Sequence, residues 1–229
     1  MSVLTRLLHP RALPDPTAPH ETRVNGILRP VVFGANDGLV SNLALVMGVA
    51  GANPEPGVIV LAGIAGLVAG AFSMGVGEYI SVQSQQELLG YQLDFQRHQL
   101  RHAPERERRI LAEIYRERGF TEEETASFVD RVFTDFEHAT RLLIFEEVGL
   151  DARSIGSPIG AGIGSFLAFT LGAAIPLVPY LLAQGGLAFY LSLLVSLAAL
   201  FGLGLGISSL TRRSPIWTGF RQLLLGAAP

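Results

Sequence analysis

The sequence predicts an all-α, polytopic membrane protein of four to five transmembrane helices, with a cytoplasmic three-helix insert between spans two and three. Three observations carry this. Of 229 residues, 49% are hydrophobic and only 16% charged, and the mean hydropathy is +0.39, far to the apolar side of a water-soluble domain. The charges are segregated: residues 94–153 hold ten of the seventeen basic residues and fourteen of the twenty carboxylates, whereas 154–211 hold none. The uncharged runs also have the length of a bilayer crossing, about 20 residues at ~1.5 Å per helical residue.

Taken in order, residues 1–26 contain three arginines and four prolines without an apolar core and cleavage site, and read as a cytoplasmic tail rather than a signal peptide. Residues 27–93 hold the first two spans. Span one covers 31–52 with one charge, Asp37, and span two covers 57–77 with none. Span two then runs on into water, because 81–100 has no Gly or Pro except Gly90 and becomes rich in glutamine. Residues 94–153 form the insert. Pro104 starts a helix with Ile110, Leu111, Ile114 and Tyr115 at helical spacing, and Gly119 stops it. The capping box from Thr121 to Glu124 opens a further helix, whose Phe128, Val132, Phe136, Ala139 and Leu143 form one apolar stripe. Residues 154–229 hold spans three and four, separated at Gln184, Gly185 and Gly186, and a short fifth segment over 215–229 that is too short for a full crossing.

Orientation follows from arginines beside short loops. Arg23 and Arg29 precede span one and Arg212 and Arg213 follow span four, while the other two turns have no basic residue, so the N-terminus and the insert are expected in the cytoplasm. Glycines four apart (Gly66 and Gly70; Gly156, Gly160 and Gly164; Gly202 and Gly206) mark faces for close helix packing, within a subunit or between subunits.

Composition also excludes function classes. A net charge of -3 provides no field for nucleic acid. The absence of cysteine removes disulfides and thiol chemistry. There is no HExxH, P-loop or G-x-S-x-G, and all five histidines lie outside the spans, so neither an enzyme nor a membrane haem is expected.

Asp37 is the most informative residue. A carboxylate at mid-helix in hydrocarbon costs ~2.5–3.5 kcal/mol on insertion scales, so it must face a cavity, water or a partner. Asn36, Ser41 and Asn42 surround it with neutral oxygens and are candidate pore-lining residues. In span two, Met74 and Glu78 share a helix face, Met74 near the depth of Asp37 and Glu78 about 6 Å further toward the inner side. A thioether beside carboxylates suits Fe²⁺ and its first-row neighbours better than Mg²⁺ or Ca²⁺. In the insert, Glu107, Glu113, Glu117, His138, Glu146 and Glu147 are the candidates for metal capture, against a competing reading in which Glu105 with Arg109 and Glu137 with Arg141 form solvated i,i+4 pairs.

Four segments, 34–41 (GANDGLVS), 69–79 (AGAFSMGVGEY), 171–179 (LGAAIPLVP) and 221–226 (RQLLLG), together resemble the vacuolar iron transporter family, including its bacterial members. The resemblance implies a homodimer of five-span subunits that moves Fe²⁺, and in some members Mn²⁺, out of the cytoplasm against protons. It also implies that Asp37 and Met74 line the path at the dimer interface. Gln96, Gln99 and Ile110 stand where iron-transporting members carry glutamates, and Leu142 and Leu143 where they carry paired methionines, while Glu107 and Glu146 or Glu147 are retained. The expectation is therefore a dimeric Fe²⁺ or Mn²⁺ exporter of the bacterial inner membrane, with protons, metal and the lipid bilayer as its partners and no resident cofactor. The alternative is a membrane-anchored metal sensor or scaffold whose acidic insert binds a partner protein.

Overall fold

A computed structural model describes residues 25–148, 156–183, 185–211 and 214–226. Among these residues every regular element is helical: α1 (Asn25–Gly51), α2 (Pro56–His102), α3 (Pro104–Glu117), α4 (Glu122–Val132), α5 (Phe136–Val148), α6 (Pro158–Leu182), α7 (Gly185–Thr211) and α8 (Pro215–Gly226). They form two compact units, one of residues up to 80 and from 156 onward, the other spanning 81–155. The tail before Asn25, residues 149–155, Gln184, the pair Arg212 and Arg213, and residues 227–229 at the end of the expected fifth segment lie outside the described residues.

In the first unit, α1, α2, α6 and α7 are each long and apolar enough to cross a membrane. The apolar windows are buried unequally, 50% for α6 but 17% for α2 and 22% for α7, which makes α6 the central helix of this unit. Its contact with α1 is made at backbone distance. A methyl group on Gly38 would collide with the carbonyl of Phe169, and one on Gly172 with the carbonyl of Ala35, so only glycine permits this crossing. Gly34 adds a third point, its missing side chain leaving room for Ser165. The α6 prolines, Pro176 and Pro179, are tolerated inside this helix, and Ser192 of α7 donates to the Pro176 carbonyl at 2.6 Å.

The glycine pairs read from the sequence divide. Gly66 and Gly70 of α2 are packed, against Leu45 and Phe169 respectively, while Gly202 and Gly206 of α7 meet nothing within 4 Å. The tight contact on α7 belongs instead to Gly204, which faces Gly219 of α8. The fifth segment is a helix of 12 residues, about 18 Å long and so short of a ~30 Å hydrocarbon core. It is nonetheless well anchored: Phe220 packs edge-on to Phe201 at 5.8 Å, and Gln222 donates to Asn36 of α1.

In the second unit, the α2 segment beyond Ser81 and helices α3 to α5 enclose Leu100, Leu111, Val129, Val132, Ala139 and Leu143. The expected stripe is therefore correct as a core, but the single helix expected to carry it is broken into α4 and α5. Asp135 explains the break. Its Oδ1 accepts from the backbone N–H groups of Glu137 and His138 and so caps a new helix, while Thr134 bonds back to Arg131. The capping box at Thr121 is present in both directions, and Gly119 ends α3 with φ of +93°, where a side chain is disfavoured.

Candidate cation site in the membrane helices

Helical periodicity builds a polar pocket, open to the outside, in the first unit. On α1, Asp37, Ser41 and Leu45 recur every fourth residue, with Asn42 beside them; on α2, Gly66, Gly70, Ser73 and Met74 keep the same rhythm. These two stripes and Phe169 of α6 line a cavity of about 280 Å³. The glycines of α2 provide its width, and the close α1–α6 crossing at Gly38 holds the neighbouring Asp37 at its wall.

The donors facing this space are one carboxylate, two hydroxyls, one amide and one thioether. Asp37 is half-buried and, among the described residues, none of the ion pairs involves it. Ser41 spends its proton on the Asp37 backbone carbonyl at 2.6 Å, which leaves its oxygen lone pairs available. Met74 is half-buried against Ala71 and Phe169. Asn42 is 2% exposed, donates through Nδ2 to the Ala173 carbonyl at 2.6 Å, and keeps a buried Oδ1 without a partner. A carboxylate with neutral oxygens and a soft sulfur is a donor set that first-row divalent cations accept.

The structure thus brings together Asp37, Ser41, Asn42 and Met74. Two other candidates stand elsewhere. Asn36 is occupied by Gln222 of α8, and Glu78, one turn beyond Met74, is not among the residues lining the cavity. Ser73 and Phe169 were missed. Ser73 was findable, seven residues after Gly66 and three after Gly70 on a helix face; Phe169 was not, because only the α1–α6 crossing delivers it.

The insert carboxylates behave differently. Glu107 is 2% exposed and accepts from Gln96 Nε2 at 2.7 Å. Glu146 is gripped by the forked guanidinium of Arg118 and by the Tyr115 hydroxyl at 3.2 Å. Partial burial, and then the charge of Glu107, hold the Glu147 carboxyl above the usual carboxylate range. Glu113, Glu117 and His138 are exposed. Among the described residues no three of these groups gather as a metal-binding cluster. The expected i,i+4 pairs are replaced by pairs between elements: Arg97 with Glu137 at 2.9 Å, Arg108 with Asp130 at 2.5 Å, Arg116 with Glu122 at 2.7 Å, and Arg118 with Glu146.

Four helices long and apolar enough to cross a membrane, three of them lining a polar pocket, define a polytopic helical membrane protein. The VIT family (VIT1) matches residues 28–229, and the chain belongs to this family. It is similar to the vacuolar iron transporter 1 of Arabidopsis thaliana, 29% identical over 202 residues that cover 88% of this chain and 81% of that protein. The vacuolar iron transporter of Toxoplasma gondii is 30% identical over 206 residues, covering 86% and 68%. That of Acanthamoeba castellanii is 39% identical over a shorter 153 residues, covering 67% and 55%.

Proposed function

We propose that the protein is a transporter of divalent first-row metal, Fe²⁺ and Mn²⁺ being the cargo its donors suit, that exports metal from the cytoplasm in exchange for protons. The observation that carries this reading is the cavity where Asp37 meets Met74 between two apolar spans, with no arginine paired to the carboxylate among the described residues. The relatives' names, vacuolar iron transporters, support it. An anchor or scaffold has no use for such a cavity.

The coupling rests on Asp37. Ionised, its carboxylate neutralises the cation; protonated, it loses most of its affinity, so metal and proton compete for one site. A two-fold homodimer would set two carboxylates and two thioethers around a shared path, completing a donor set that one subunit fills only in part. The insert's arginine pairing favours a structural role for it, as does the burial of Leu143, with Leu142 packed beside it, in its hydrophobic core. We place the protein in a bacterial inner membrane with its N-terminus inside, on the arginine flanks and the lysine-free composition.

Proteoliposomes with a metal-sensitive dye inside test this. Fe²⁺ or Mn²⁺ flux is expected to fall by about 100-fold in Asp37→Ala and by about tenfold in Met74→Ala, the loss of a charged ligand outweighing that of a neutral one. The unmodified flux is expected to rise with an opposing proton gradient. Equal rates in all three proteins would overturn the assignment.

A further inference from the structure

Asn42 does more in this cavity than line it. It lies five residues beyond Asp37, about 7.5 Å further along α1, and faces the same space. Its amide is oriented by chemistry: the Ala173 carbonyl can only accept, so Nδ2 must face it, and Oδ1 is aimed away from α6. That oxygen is buried and has no partner. A buried amide oxygen left unsatisfied carries a desolvation cost, and a clamp between α1 and α6 requires only the N–H half of the group.

The surroundings of Oδ1 say what it faces. A methyl group built on Gly66 would stand 3.0 Å from it, in space that the Leu45 side chain now shares. Leu45 is 39% exposed, so this cover is held by few neighbours. Gly66 therefore leaves an atom-sized recess beside a free, hard oxygen, closed by one movable apolar side chain. We infer that Asn42 Oδ1 is a second ligand for the divalent cation, taken up after Asp37 when Leu45 swings off Gly66. A neutral oxygen suits this step, since it replaces a water of hydration without holding the ion as tightly as a carboxylate would. The inference rests on the transport reading above.

The same proteoliposomes separate the two, with Mn²⁺ as the probe. Asn42→Leu is expected to lower flux by about tenfold or more. Asn42→Asp loses the same N–H but keeps an oxygen, and is expected to lower the Mn²⁺ concentration at half-maximal flux, since it adds charge at the ligand. Gly66→Ala leaves the Ala173 clamp intact and is expected to slow flux by filling the recess. Equal losses in Asn42→Leu and Asn42→Asp would reduce Asn42 to a clamp and overturn the inference, as would full flux in Asn42→Leu or Gly66→Ala. If Asp37→Ala still abolishes flux in those cases, the transport reading stands alone; no flux from the unmodified protein overturns both.

Discussion

The two units handle charge and contact in opposite ways. The membrane unit closes by bringing backbones together at Gly38 and Gly172, and keeps one carboxylate, Asp37, in its cavity without a basic partner among the described residues. The insert closes by side chains: a core around Leu111 and Leu143, with Arg97, Arg108, Arg116 and Arg118 tying its segments together. Lipid explains the first pattern, since it gives apolar side chains no reason to leave it and leaves close packing as the main cohesive term. Water explains the second, since burial there gains transfer free energy and surface ion pairs keep helices in register at little net cost. Charge is paired across helices in the insert and left without an ion pair at Asp37 in the membrane unit.

This contrast predicts unequal costs for one substitution. Leu111→Ala in the insert, at a fully buried site, should cost roughly 3 kcal/mol, a transfer term plus a cavity term. Leu39→Ala in the membrane unit, 2% exposed, should cost about half of that, because lipid repays the transfer term. Hydrogen exchange of the intact protein in nanodiscs measures both, and equal costs would break the comparison. Next in size, Gly38→Ala should destabilise by about 1–3 kcal/mol through overpacking, with Gly202→Ala near zero because its surroundings are open. Thermal unfolding in detergent reads the difference.

Smaller effects sharpen the account of the insert. Arg118→Ala should loosen α5 more than Arg108→Ala does, because the Glu146 carboxylate it abandons is only 4% exposed whereas Asp130 is 72% exposed. Exchange rates over residues 136–148 report it. The smallest is pH-dependent. The Arg97 hydrogen bond holds Glu137 below the usual carboxylate range, so its contribution is present at neutral pH and is lost as pH falls through that lowered value. Glu147, raised by partial burial and by Glu107, acts in the opposite sense: its cost at neutral pH is relieved on mild acidification. Protection of α5, corrected for intrinsic exchange, should therefore rise slightly and then fall as the solution is acidified. Glu137→Gln should shrink the fall to the part carried by Asp135, whose α5-capping carboxylate is held below the usual range by the His138 and Glu137 N–H groups, and leave the rise.

Much of the site was legible because helices are periodic. Asp37 had to face polar surroundings, and Met74 falls at a matching depth on a neighbouring span; both conclusions need only the 1.5 Å rise and the cost of charge in hydrocarbon. The spans and the apolar stripe of the insert follow from composition in the same way. The break between α4 and α5 was not legible, because Asp135 reads as a polar surface residue until its Oδ1 is seen on two backbone N–H groups. Nor were the ion pairs: i,i+4 spacing offered Glu137 to Arg141, but Arg97 on another helix reaches it with a two-pronged bond at 2.9 and 3.1 Å.

The sequence by itself determined four apolar spans, the place of the polar insert and the residue that could not be left in lipid, since each depends on local composition and helical repeat. Tertiary structure alone decided which glycines carry contacts, that Asn36 is held by Gln222 while Asn42 keeps a free oxygen, and that Phe169 closes the cavity. The physical reason is that these depend on how helices distant in sequence cross, and a crossing at backbone distance is set by a few absent side chains on both partners at once.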